Sequence, residues 1–405
     1  MQLRRLSALA LAFVAFAACT RADETAVRRA QARLQSAQAA GDAAAVRAAA
    51  AEWRTALGDL VGTVEGGTPK RVAADASAPA DAKLAAAYLV KYRAHIAPDI
   101  EAYLRDIAHP TKLPAGLRQL AVLLIADAQT VAALGDAAPA EHAEIPRLAD
   151  ALCSVQRPNG LFAFPDIRAK SEFFGKMIDK LLEAHPDAIA DGWLVSDGGR
   201  GDLQYDNGLC GVALLEAHAL THDARYLAAA LRAAEWAKTQ PIVTNWNYNS
   251  FSVWFLARLA LVTKDRAWLD EAARRCRFGV LPGQMDNGRW FDPHNAKLVY
   301  HAILCRALVE LAVANRAFDI TDAAVERAAT LGLDNAADEI LGAGVSVVTV
   351  PTEVFAQALS RWRTTPRWTA AMHALASTGL ARRAPSSELG PYAAAYLDYA
   401  HRAQP

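Results

Sequence analysis

The 405-residue sequence has no surplus of either charge: Lys and Arg together number 43, and so do Asp and Glu. A nucleic-acid partner calls for a basic surface, and this balance supplies none. Cysteine is scarce, with five in the whole chain. Four of these, Cys153, Cys210, Cys276 and Cys305, stand in apolar helical patterns without CxxC or Cys/His spacing. They read as buried thiols and not as a metal cage. The ten histidines form no HExxH and no His-x-His site, and neither a phosphate loop nor a dinucleotide fingerprint is present. No metal and no cofactor is therefore expected. The apolar stretch at the start, Leu6–Phe16, is too short to cross a bilayer as a permanent anchor.

That stretch carries information of another kind. In "MQLRRLSALALAFVAFAACT", Arg4 and Arg5 precede the apolar run, and small residues follow it. This is the pattern of a secretory signal, residues 1–18. Ala17-Ala18-Cys19 resembles a bacterial lipobox, although Phe16 is an unusual residue at its front. The resemblance implies lipidation of Cys19, and Thr20 in place of Asp implies sorting to the outer membrane. The expectation is a cell-envelope protein facing the periplasm or the outside. It would touch the membrane through its anchor only.

Residues 19–63 are Ala-rich with interspersed Arg and Gln, and Gly41-Asp42 divides them into two helices. This segment reads as a helical hairpin beside the anchor, suited to an envelope protein partner. Residues 64–81, "VEGGTPKRVAADASAPAD", have the composition of a linker. From 82 to 405 helix patterns recur. "LLEAHALTHDARYLAAALRAAEWA" (214–237) matches "LARLALVTKDRAWLDEAARRCRFG" (256–279), with Thr221, Asp223 and Leu227 falling on Thr263, Asp265 and Leu269. A repeat on this scale signals stacked helix pairs, each Asp capping the second helix of its pair. Looser copies lie at 298–332 and 350–378.

The segments ahead of the first helix in each pair decide between an open solenoid and a closed ring. They are long and rich in Gly, Asp, Asn and aromatics: 155–166, 191–210, 241–250 and 281–295. Such loops, recurring at one place in every repeat, should converge at one end of a ring. The pattern resembles the α/α toroid of many glycosidases and polysaccharide lyases. The fold expectation is thus all-α, an α/α toroid over 82–405 with inner helices beginning near 207, 249 and 296.

Sugars are held by aromatic faces and planar polar groups. Trp193, Tyr205, Trp246, Tyr248, Trp290 and Phe291 lie in or beside these loops. So do Asp197, Asp202, Gln204, Asp206, Asn207, Asn247, Asn249, Arg289, Asp292, His294 and Asn295. A polysaccharide or oligosaccharide is the partner this set favours. Trp246, Tyr248, Trp290, Asp206 and His294 are expected to line one cavity.

Two stretches resemble the alginate lyase family of toroid polysaccharide lyases. "WNYNSFSVWFLARLALVT" (246–263) stands where that family has an Asn-Asn-His-Ser-Tyr-Trp type motif opening an apolar helix. "HNAKLVYHAILCRALVELAVANR" (294–316), with Tyr300-His301, stands where it has Tyr-His. The resemblance covers about 70 residues, one or two helix hairpins. It departs at two points: the family's His falls on Tyr248, and its Arg falls near Pro293. The implied chemistry is β-elimination of a uronate, which needs a neutralised carboxylate, a base for the C5 proton and an acid for the leaving oxygen. The resemblance assigns neutralisation to Asn247 and proton transfer to Tyr300, leaves Tyr248 at a base position, and makes His294 a substitute for the missing charge. Hydrolysis is the alternative. It needs two carboxylates, one from Asp197, Asp202 and Asp206, with Asp206 the best placed, and the other Asp286 or Asp292; Glu is absent from 191–210, 241–250 and 281–295. A third reading is a non-catalytic lipoprotein that binds glycan or protein.

Overall fold

The computed structural model describes residues 24–61, 81–380 and 390–403. Cys19, the signal segment and the linker up to residue 80 lie outside the described residues. The fold is all-α. An N-terminal pair, α1 (Glu24–Ala40) and α2 (Ala43–Leu57), precedes α3 (Ala82–Asp106), α4 (Arg118–Leu134), α5 (Pro139–Val155) and α6 (Glu172–Ala184). Then follow α7 (Asp202–Thr221), α8 (Ala224–Thr239), α9 (Trp246–Thr263), α10 (Arg266–Gly279) and α11 (Leu298–Ala317). The chain continues with α12 (Ala323–Ala343), α13 (Thr349–Arg361), α14 (Pro366–Leu375) and α15 (Gly390–Arg402). The sheet among the described residues is small. Strands β1 (Phe164–Pro165) and β2 (Ile189–Ala190) both pair antiparallel with β3 (Trp193–Leu194). It sits within the loops ahead of α7.

The repeated Thr-x-Asp turn works as local chemistry requires. Asp223 and Asp265 accept the N–H of Arg225 and Ala267, closing the first turns of α8 and α10. Asp42, Asp81 and Asp322 do the same for α2, α3 and α12. Thr221 donates to the Ala217 carbonyl and accepts the Asp223 N–H, and Thr263 repeats this with Leu259 and Asp265. Between them His222 and Lys264 take the left-handed conformation, each at φ 57°. This left-handed C-cap is what reverses the chain in so few residues.

Helices α4, α7, α9, α11, α13 and α15 pack in sequence, and α15 packs back onto α4. The contacts thus close a cycle. Helices α5, α8, α10, α12, α14 and α3 lie against its outside. Burial follows this division. In α9, residues Phe251 to Ala257 are all buried, whereas α10 buries a stripe of Trp268, Leu269, Ala272 and Cys276 and turns Arg266, Asp270, Arg274 and Arg277 to solvent. Each large apolar side chain so buried stabilises by about 1.5–3 kcal/mol. The approach of α7 to α9 depends on two glycines. A Cβ at Gly208 would stand 2.8 Å from the Phe251 carbonyl oxygen, and one at Gly211 2.4 Å from the Phe255 ring.

Helices α9 and α11 begin at 246 and 298, close to the expected 249 and 296, and α7 begins at 202, a turn earlier than the expected 207. The polar cluster is part of the first helical turn: the Tyr248 N–H already bonds to the Asn245 carbonyl at 3.2 Å. Cys210, Cys276 and Cys305 are buried free thiols, and Cys153 is half-buried and also free. The N-terminal hairpin packs on the remainder of the chain, with α2 against α10 and the 281–283 turn.

Candidate functional site

The first residues of α4, α7, α9 and α11 meet at one end of the helix cycle. Arg118, which opens α4, grips Asp206 of α7 bidentately, Nε at 2.9 Å and Nη2 at 2.5 Å. Its guanidinium lies 4.0 Å from the centre of the Tyr205 ring, and that ring stacks on Phe251 at 4.0 Å. Burial alone would make Arg118 easier to deprotonate, but the Asp206 carboxylate more than reverses this. One turn earlier in α7, Asp202 accepts from the Tyr248 hydroxyl. Arg200 Nε stands 3.2 Å from Asp202. Burial raises the Asp202 pKa despite the Arg200 charge, and burial beside Asp202 raises Tyr248 well above the usual phenol value.

A second group joins the start of α9 to the loop ahead of α11. Asp292 accepts from Asn295 Nδ2 at 3.1 Å and from the Asn295 backbone N–H at 2.9 Å. A carboxylate only accepts, so the Asn295 amide nitrogen must face it and the Asn295 oxygen must face Asn247. Asn247 Nδ2 donates to that oxygen at 3.0 Å, and the same nitrogen lies 3.2 Å from His294 Nε2. The His294 nitrogen is therefore the acceptor, which makes the imidazole neutral. Tyr300 stacks on His294, with centroids 4.1 Å apart and planes 25° apart. Burial and the neighbouring Tyr205 push the Tyr300 hydroxyl up to about 12.

Two role assignments change on this geometry. His294 accepts from Asn247 and so does not supply the missing positive charge; Arg118 lies over Tyr205, and Arg118 and Arg200 both act on Tyr248. Both N–H bonds of the Asn247 amide are engaged, so in this arrangement it orients His294 instead of presenting donors to a carboxylate. Asp206, the carboxylate favoured for hydrolysis, is held by Arg118, and burial weakens the acidity of Asp202 and of Asp292.

Several expected sugar contacts are corrected to scaffold roles, because they are buried against the protein itself. Asn249 is fully buried; it accepts the Val243 N–H at 2.9 Å and donates to the carbonyls of Val243 at 2.7 Å and Gly279 at 2.8 Å. Asn207 bridges the Phe162 N–H and the Ala233 carbonyl. Arg289 is 4% exposed and spends its guanidinium on Asn335, Glu339 and the Ala296 carbonyl. Trp246 and Trp290 are fully buried on either side of Gly283, and Trp290 donates its indole N–H to the Val280 carbonyl. Trp193 is buried in β3. His301 is fully buried and bonds the Gly332 carbonyl at 2.8 Å. Among the described cavities, one of about 30 Å³ between the inner helices is lined by Tyr205 together with Phe251 and Arg306.

No family model matches this chain, and no curated protein matches it in sequence. The site thus rests on its own geometry. Sequence reasoning missed Arg118, whose partner Asp206 is 88 residues away and whose own segment carries no loop motif. It also missed the shared frame of two loops. Gln156 and Gln284 each donate to the carbonyl of a glycine four residues on and to the outer helix of the next pair, at Ala229 and Ala328. The repeated spacing Gln-x-x-Asn-Gly at 156–160 and 284–288 was the available signal.

Proposed function

We propose that this chain is an exported, lipid-anchored polysaccharide-processing protein, that its helix cycle is an α/α toroid, and that the inner-helix starts form its sugar site. The reaction we assign is β-elimination of a uronate-containing glycan. The observation that carries this reading is the Asn247–His294–Tyr300 cluster, assembled from two separate segments around a neutral imidazole.

In this reading the uronate C5–H meets His294 Nε2 and displaces Asn247 from that lone pair. The released Asn247 N–H then donates to the uronate carboxylate, which acidifies C5. His294 takes the proton, the C5 electron pair forms the C4=C5 bond, and the C4–O bond breaks. Tyr300, protonated at neutral pH, gives its proton to the leaving oxygen.

The test is incubation of purified protein with a panel of polyuronates and neutral glucans. Elimination leaves an unsaturated sugar end that absorbs ultraviolet light. Absence of that absorbance on every polyuronate sinks the assignment. Hydrolysis is the second reading, favoured by the half-buried Asp202 carboxyl, which is shifted toward its protonated form in the manner of a general acid. It predicts reducing ends without absorbance, lost in Asp202→Asn and retained in Tyr300→Phe. Binding without turnover would leave a glycan-binding envelope protein.

A further inference from the structure

The N-terminal hairpin reaches the site through Trp53. Its ring lies 5.6 Å from that of Trp246 and 5.1 Å from that of Phe291, the latter edge-on at 89°. Trp246 and Phe291 meet at 5.9 Å, and all three rings are buried. Trp246 directly precedes Asn247. Phe291 directly precedes Asp292, the carboxylate that orients Asn295 and through it Asn247. One ring from outside the helix cycle therefore touches both segments of the cluster, each time at the residue beside the one that matters. A second tie comes from α1. Gln38 is 2% exposed and donates Nε2 to the Phe278 carbonyl at 3.0 Å and toward that of Val243 at 3.4 Å. Val243 is also the residue that Asn249 holds from the other side.

We propose that the hairpin is a working part of the site and that Trp53 is a positioning residue, setting the placement of Asn247 against His294. Large planar rings packed edge to face resist sliding, because an offset contact has a defined geometry. Removing the Trp53 ring leaves a void where the two segments meet, and buried loops relax into such voids only in part. The Asn247–His294 bond, at 3.2 Å, has little length to spare before it is lost. The effect on turnover rests on the elimination reading above; the effect on His294 does not.

The experiment uses the full chain and reads the His294 ring by NMR, its resonances identified by their absence in His294→Gln. Trp53→Ala should shift the His294 resonances, and Trp53→Phe should restore them, while the far-ultraviolet circular dichroism stays that of the parent. Unshifted His294 resonances in folded Trp53→Ala overturn the proposal. If Trp53→Ala does not fold, Gln38→Ala removes the second tie and carries the same expected shift and the same overturning result. On a polyuronate that the parent cleaves, Trp53→Ala should lower kcat about 10–100-fold with little change in KM, the signature of misplacement without loss of binding. A lower melting temperature with kcat and the His294 shifts intact means that Trp53 only stabilises, which also overturns the proposal. If the parent cleaves no polyuronate, the reaction assignment fails, and the His294 shifts still decide the role of Trp53.

Discussion

The two ends of the inner helices are both polar, but they use polarity differently. At the starting end half-buried Tyr248, His294 and Tyr300 and the amides of Asn247 and Asn295 stand beside a single bidentate ion pair, Arg118–Asp206, and the Arg200–Asp202 pair. Toward the other end, Glu216, Arg258, Gln357 and Arg361 line a cavity of about 140 Å³. Glu310, fully buried, binds Arg258 at 2.6 Å and Arg361 at 2.9 Å and accepts from Gln357, and Arg258 also reaches Glu216. Burial would raise the Glu310 pKa, yet Arg258, Arg361 and their hydrogen bonds outweigh it and bring it down to about 2. Charges so fully matched have nothing left to offer a ligand; their work is to tie four helices together. On the proposed function, the neutral groups at the starting end keep bonds that a substrate can exchange. The comparison teaches that charge density alone is a poor guide to function here, because the densest charge is the most completely spent.

The largest expected effect separates the two ends directly. Tyr300→Phe should lower turnover about 100- to 10,000-fold, the range for losing a general acid, while urea unfolding stays within about 0.5 kcal/mol of the parent, as for a substitution that leaves the packed ring in place. A large loss of stability would show Tyr300 to be part of the scaffold.

At the other end the pattern should invert. Glu310→Ala takes the buried carboxylate from half-buried Arg361 and Arg258, of which Arg258 keeps Glu216, and should cost about 1.5–3 kcal/mol in chemical denaturation, the range for hydrogen bonds to charged groups. Activity of the fraction that stays folded should be retained. Its pH dependence follows from the depressed pKa. A depressed carboxylate contributes fully above its unfolded value of about 4.3 and loses that contribution as pH falls through the folded value. With the folded value at about 2, the loss lies between these limits. Acid titration of stability should show this component in the parent and not in Glu310→Gln.

Asn249 tests whether a scaffold residue can sit beside the site without serving it chemically. Asn249→Ala leaves the Val243 amide and the Gly279 carbonyl buried and unbonded, at about 1–3 kcal/mol for such groups. Its signature should be lower stability first, with KM little changed; a KM rise at full stability would return Asn249 to the sugar contacts. The smallest effect belongs to the exposed Thr-x-Asp turn that follows α9. Asp265→Ala removes one helix cap and should cost about 1 kcal/mol, with no change in activity.

The sequence by itself determined the helical class, the hairpin period and the turn chemistry. These are local: an Asp before a helix caps it wherever it stands, and an apolar stripe at helical spacing marks a buried face. It also marked the segments that meet at the inner-helix starts, because Asn247, Tyr248, His294 and Tyr300 stand in or just after segments unlike ordinary connections. What it could not distinguish was a polar or aromatic residue facing a substrate from one facing the protein. Trp246, Asn249, Arg289 and Trp290 have the composition of a sugar site, and packing consumes all four. Arg118, with no motif of its own, became a site residue only when folding brought Asp206 and Tyr205 against it. The tertiary structure decided these matters because a donor is used up or left available by partners distant in sequence, and no local pattern records which partner arrives.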